Sequence, residues 1–219
     1  NPIIDKTTAS LSWRGKTPVL VLDDLHNWDE APQQMTQAAP GLWKYSLQLP
    51  RNAYLEYAFL DPSTEQRVED PLNINRVRNG FGEWNNYFYM PGAAPTDLIK
   101  PVQPSLRGIL SRHRLETNEL AATPRRVVHL YQPPVEGPVP LLVVYDGNDY
   151  LQRGHINHIV DNLILQKRIR PLAMVLIQNG GNRRMLEYSC SDVTLDLLRH
   201  AVLPLAQEKL NLLSPRKEP

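Results

Sequence analysis

Pro140-Leu141-Leu142-Val143-Val144-Tyr145-Asp146-Gly147-Asn148-Asp149-Tyr150 is the stretch that decides the fold of this chain. Its apolar half predicts a strand buried on both faces, and its polar half predicts a loop opening on Asp146-Gly147. Helical spacing follows through Ile156, Ile159, Val160, Leu163 and Leu165, and then a second apolar strand over 172–177. A polar loop leads to a longer stripe through Val193, Leu197, Leu198, Ala201, Leu205 and Leu210. Asp192 suits the positive end of that helix, and Pro204 is placed to bend it. Strand–helix–strand–helix with short connections implies right-handed crossovers onto a parallel sheet. Upstream, residues 108–114 and 125–131 suit an antiparallel pair, the second alternating through Val127, Val128, His129, Leu130 and Tyr131 and stopping at Pro133-Pro134.

Residues 1–90 have a different grammar. Strand patterns fall at 11–13, 18–22, 42–49, 54–60 and 86–89, separated by turn signals at Arg14-Gly15, Pro40-Gly41, Asp61-Pro62-Ser63 and Asn79-Gly80. Short punctuated strands of this kind predict a β-sandwich. The proline-rich stretch 91–104 reads as a linker, and 105–219 as a second domain with a three-layer αβα arrangement and a mostly parallel sheet.

Composition narrows the class. The 24 lysines and arginines nearly balance 23 aspartates and glutamates, which gives no global reason to expect nucleic acid or an anionic membrane as partner. One cysteine, Cys190, excludes an intrachain disulfide and a Cys-based zinc site, and suits a reducing compartment. No apolar run is long enough to span a bilayer and no signal peptide is visible, so the expected protein is cytoplasmic and free of membrane, metal and cofactor.

Candidate chemistry is uneven. No serine has glycine two residues before and two after, so the strained nucleophile elbow is absent from the sequence. Ser189 and Ser191 read as loop or capping groups. His155 and His158 share a helix face but lack a third ligand at helical spacing, which favours a solvated helix start over zinc. His129 reads as a sheet residue and His26 as part of a turn. Of the tryptophans, Trp43 alternates like core, Trp28 follows a turn, and Trp84, in a Gly-rich loop, is the candidate for an exposed platform.

Two sets of motifs carry a resemblance. Asp146-Gly147-Asn148 after its strand, Arg184-Met185-Leu186-Glu187-Tyr188, and the helix end Leu198-Arg199-His200-Ala201-Val202-Leu203-Pro204-Leu205 resemble the esterase D-like branch of the α/β hydrolases, in particular the enterochelin (enterobactin) esterases. Asp24-Leu25-His26-Asn27-Trp28, Gly41-Leu42-Trp43, Glu69-Asp70-Pro71-Leu72-Asn73 and the segment 80–86 resemble the Ig-like, glycogen-binding-like domain that precedes that hydrolase. The resemblance implies an Ig-like sandwich followed by an incomplete α/β-hydrolase domain, with the nucleophile, acid and histidine expected beyond residue 219. On that reading the chain alone is inactive, and its unfinished sheet edge invites a homo-oligomer. The backbone amides of Gly147 or Asn148 would supply part of an oxyanion hole, unless the glycine merely serves a tight turn. Arg184, or its neighbour Arg183, and Glu187 stand at the sheet edge where ligands of α/β folds bind, either meeting an anionic or catecholate substrate or closing an ion pair. Trp84, with residues 79–85, would face substrate. The implied reaction is hydrolysis of a small-molecule carboxylic ester, with a ferric-siderophore trilactone as the narrower expectation. An acetyl or feruloyl carbohydrate esterase and a non-catalytic scaffold are the rivals.

Overall fold

The computed structural model describes residues 2–80, 82–117, 123–189 and 192–214. Cys190, Ser191 and Phe81 of the 79–85 segment lie outside the described residues. The chain divides into two compact units, Asn1–Pro95 and Thr96–Pro219.

The first unit is built from two antiparallel sheets. One has the order β1 (Ile3–Asp5), β2 (Thr8–Arg14), β6 (Leu42–Gln48), β5 (Thr36–Ala39). The other runs β4 (Gln33–Gln34), β3 (Leu20–Asp23), β7 (Tyr54–Asp61), β10 (Trp84–Tyr89), β9 (Arg76–Arg78), with β8 (Gln66–Val68) paired to β7. Alternation aims Ala9, Leu11 and Leu47 from one sheet at Val21, Leu55, Tyr57, Phe59 and Phe88 from the other, and these form a single core. The buried polar groups are paired. Tyr57 donates to Asp70 at 2.6 Å, and Asn85 donates to Glu56 at 2.8 Å. Burial and the Asp70 carboxylate push the Tyr57 phenol far above its usual range, so it stays a donor. Sequence patterns locate the long strands here. The short β1, β4, β5, β8 and β9 escape them, because two to four residues are too few to show a period.

The second unit has a four-stranded sheet in the order β11 (Ile109–Glu116), β12 (Arg125–Gln132), β14 (Ala173–Ile177), β13 (Leu141–Val144). Only β13 and β14 are parallel, so the described sheet is mixed rather than mostly parallel. The reason lies in the connection from β12 to β13, which contains no helix and lets the chain reverse direction. The helices are α1 (Gly147–Gln152), α2 (Ile156–Leu165), α3 (Arg184–Tyr188), α4 (Asp192–Leu197) and α5 (Leu203–Lys209). Val175 and Ile177 of β14 pack with Leu197, Val202 and Ala206, while Met174 and Leu176 pack with Val160 of α2. Helices therefore cover both faces of β14, which is wholly buried.

β13 differs from its expectation. It sits at the margin of the sheet order and Leu142 is 42% exposed. Among the described residues its outer edge is met only at its start, where Val139 donates to the Asn211 carbonyl at 3.0 Å and accepts from the Leu213 amide at 2.9 Å. That exchange is a parallel bridge between Val139 and Leu212.

Two further joints fix the layers. Buried Asp161 of α2 accepts from the Tyr131 hydroxyl at 2.7 Å and the Gly108 amide at 2.8 Å. Asn162 donates to the carbonyls of Leu98 and Lys100, which pins a 3-10 turn at Asp97–Ile99 onto α2. Between α4 and α5 the helix widens into a π turn at Leu198–Val202, immediately before Pro204. Proline lacks the amide that would continue the ladder, and the wider turn absorbs that loss.

Candidate functional site

The decisive residue at the end of β13 is Asp146. It adopts the left-handed conformation, φ 53° and ψ 37°, and stands at the head of α1. Aspartate tolerates this region better than most residues. Its carboxylate collects donors from the loop and helix after β14. Arg184 binds it bidentately, Nε to Oδ1 at 2.8 Å and Nη2 to Oδ2 at 2.7 Å. Asn179 Nδ2 donates to Oδ1 at 2.7 Å, and the Tyr188 hydroxyl donates to the same oxygen at 3.2 Å. Tyr188 also accepts from the Asp146 amide at 3.2 Å, so one phenol reads both ends of the residue. The Arg184 guanidinium lies over the Tyr188 ring, 5.1 Å from its centroid.

Burial alone would raise the Asp146 pKa, but donation from Arg184 and Asn179 outweighs it and the carboxyl ends below its ordinary value. Desolvation pushes Tyr188 up to about 12, keeping its proton at neutral pH. Neighbouring Asp149 is raised, by burial first and the Asp146 charge second. Because the folded Asp146 is the more acidic state, its ion pair contributes fully above the ordinary carboxylate range and is lost as pH falls through the depressed value. Acid titration followed by the Asp146 side-chain carbon signal is expected to show a midpoint below 3.8, the ordinary value. In Arg184→Met, with the strongest donor gone, the midpoint is expected to rise.

A second ion pair lies deeper. Arg126 of β12 donates through Nη2 to Glu187 of α3, with the side chains 2% and 6% exposed. Arg126 Nη1 also binds the Gln178 carbonyl at 2.9 Å, while its Nε has no hydrogen-bond partner among the described residues. Gly180 makes room for this pair: a Cβ there would stand 2.6 Å from the Glu187 carboxylate. The Thr194 hydroxyl donates to the Glu187 carbonyl and ties α3 to α4. Tyr145 packs edge-on against Tyr188 at 5.7 Å. An open groove of about 590 Å³ is lined by Tyr145, Asp146, Glu187, Tyr188, Asp192 and Leu195.

Gly147 and Asn148 are the first two residues of α1, where a helix offers its amides no internal acceptor. Gly147 is required by packing, since a Cβ would sit 2.5 Å from the Leu176 carbonyl carbon and 2.8 Å from the Ile177 amide. Gly147→Ala is expected to cost about 1–3 kcal/mol, because β14 backbone cannot yield as a side chain would; urea denaturation measures it. Arg184 and Glu187 each close an ion pair, but with Asp146 and Arg126 and not with each other. Both stand on a short helix and not on a loop, and Arg183 is exposed in the 3-10 turn before it. Ser189 caps that helix, its hydroxyl donating to the Met185 carbonyl at 2.6 Å. His155 and His158 stack at 6.2 Å, and no group of three metal-ligating side chains occurs among the described residues.

Trp84 begins strand β10, not a loop, and is 39% exposed. The guanidinium groups of Arg76 and Arg78 lie 5.0 and 4.8 Å from its ring centroid, which compromises it as an open stacking face. Trp28 likewise carries Arg67 at 5.4 Å, and Trp43 donates to the Gly15 carbonyl at 3.1 Å against the core. Sequence reading misses Asp146, Arg126, Asn179 and Tyr188 as a working set. The available signals are an arginine within an apolar strand and an aspartate directly before a helix-opening glycine.

Residues 121–216 match the sequence model of a family described as "Putative esterase". In fold, the chain is similar to the enterochelin esterase of Shigella flexneri, with a TM-score of 0.69 at 20% identity over 92% of this chain and 59% of that one. The ferric enterobactin esterase of Salmonella typhimurium gives 0.66 at 20% identity, over 92% of this chain and 61% of that one. A structure of the Shigella enzyme, described as in the presence of enterobactin, gives 0.67 at 20% identity over 92% and 60%. The chain therefore spans about three-fifths of the length of these structures. Comparison with curated proteins finds no match.

Proposed function

We propose that this chain forms the oxyanion-side wall of a serine carboxylic-ester hydrolase. The observation that carries the reading is the parallel bridge of Leu212 to Val139 on the open edge of β13. A further strand paired to that edge would run beside β13 and deliver its end to Asp146, Gly147 and the aromatic groove. In α/β hydrolases such a strand-to-helix turn presents the nucleophile. The proposed sheet is the first half of that fold, and the sandwich before it the Ig-like domain of the enterochelin esterases.

The chemistry follows from that placement. A serine from the adjoining segment would attack the ester carbonyl, with a histidine accepting its proton and returning it to the leaving alcohol. The developing oxyanion would be held by the amides of Gly147 and Asn148, fixed at the head of α1. Asp146, locked by Arg184, Asn179 and Tyr188, prevents those amides from shifting. Arg184 and Glu187 would act chiefly by holding α3 at the groove, with substrate contact second. Enterobactin in a similar enzyme's structure supports a siderophore trilactone, carrying iron as cargo, as substrate. No helix among the described residues is long and apolar enough to cross a membrane. The cytoplasmic location is proposed on the single cysteine, which suits a reducing compartment.

Hydrolysis of a catecholate trilactone, followed by chromatography, tests the proposal. The 219-residue chain is expected to show no turnover, and the same chain running on into a segment with G-x-S-x-G and a histidine is expected to turn over. Turnover by the 219 residues that disappears on replacing one of their own serines would contradict it.

A further inference from the structure

A second groove, of about 610 Å³, opens at the same end of the sheet on the other side of the loop after β14. Its wall is one face of the β11–β12 hairpin. In that register Arg112 faces His129, Arg114 faces Val127 and Glu116 faces Arg125. Residues directly opposite in an antiparallel pair share a face, so Arg112, Arg114, Arg125 and His129 project together. Its floor is formed by Gln178 and Gly180.

The charges on this face do not balance. Arg125 is offset by Glu116, Nε to Oε1 at 3.1 Å, and Arg126 by buried Glu187. Arg112 and Arg114 have no carboxylate partner among the described residues, and no acidic side chain lines the groove there. Two residues apart on a strand, their Cα atoms stand about 7 Å from each other, close enough to repel and to share one anion. His129 adds a second observation. Its Nδ1 is buried with no hydrogen-bond partner, beside Arg112. Arg112 and Arg114 are exposed and take their acceptors from water, which the oxygens of an anion in the groove would replace.

We propose that this groove binds a compact, multiply charged oxyanion, of the phosphate or polycarboxylate class, through Arg112 and Arg114. Two guanidinium forks match such oxygens bidentately. A nucleic acid is the less fitting occupant. The unpaired charge is confined to two residues, and a chain of net charge +1 lacks the long basic stripe that a phosphate backbone needs. Anion binding here does not rest on ester hydrolysis and stands or falls separately from it.

Titration of the 219-residue chain with pyrophosphate and with citrate, at constant ionic strength, tests the site by calorimetry and by the His129 ring signals. Saturable binding is expected for at least one of them, with the His129 signals moving. Arg112→Gln/Arg114→Gln is expected to weaken it by about tenfold or more, with an unchanged urea midpoint showing that the hairpin remains folded. Arg168→Gln, beyond the end of α2 and outside the groove, is expected to change nothing. Absence of saturation by either anion at millimolar concentration would overturn the proposal, as would equal binding by the double variant. Tighter binding of a single-stranded oligonucleotide, with a steep salt dependence lost in the double variant, would overturn it in favour of nucleic acid.

Discussion

Replacing Glu187 by leucine while Arg126 stays in place is expected to lower the stability of the second unit by about 3–5 kcal/mol. The pair is nearly sealed from solvent, at 2% and 6% exposure, so the remaining guanidinium would be left charged where water cannot reach it easily. The penalty does not measure the strength of the pair itself. Two charges taken out of water lose hydration that their attraction only partly returns, and a well-packed apolar substitute can do as well. Arg126→Met/Glu187→Leu is therefore expected to recover most of the loss, although a methionine in place of the arginine would leave the Gln178 carbonyl without that donor. Urea denaturation of the three proteins reads this directly. A single variant within about 1 kcal/mol of the parent, the range of exposed pairs, would show that the pair is not sealed.

That ion pair also shows what a sequence can and cannot convey. The strands at 54–60, 125–131 and 172–177 are legible because burial imposes a period or a continuous apolar run along their whole length. Arg126 is hidden in plain view within one of them. A charge in a buried strand signals a partner, but the partner is 61 residues away and only the fold brings it close. The segment at Asp146 reads as a strand end, yet its glycine draws attention from the aspartate. Gly147 yields to the β14 backbone, while Asp146 takes the left-handed conformation and the donors. Arg184 and Glu187 stand out together by proximity in sequence. Their separate partners, Asp146 and Arg126, follow from opposite placements on α3, one at the groove and one beneath it. The two-to-four-residue strands and the antiparallel seam between β12 and β14 depend on pairing, which no local pattern records.

The second large effect concerns the proposed oxyanion donors. Asn148 is the second residue of α1, so its amide has no helical acceptor to lose, and proline is tolerated in a first helical turn. Asn148→Pro would delete one N–H and little else, whereas Asn148→Ala would keep the amide and remove only the side chain. In acyl-transfer enzymes the loss of one such donor costs about 10²–10³ in kcat, since the bond strengthens only as charge builds on the oxygen. KM is expected to change much less, because the ground-state carbonyl uses that donor weakly.

The most direct measurement is kcat for ester hydrolysis by Asn148→Pro and Asn148→Ala, in the chain continued into a nucleophile-bearing segment, with urea midpoints as the control for folding. Oxyanion donation from the head of α1 predicts a fall of about 10²–10³ for proline and near-parental turnover for alanine. A folded proline variant with parental kcat would contradict it, and would assign the head of α1 to packing alone.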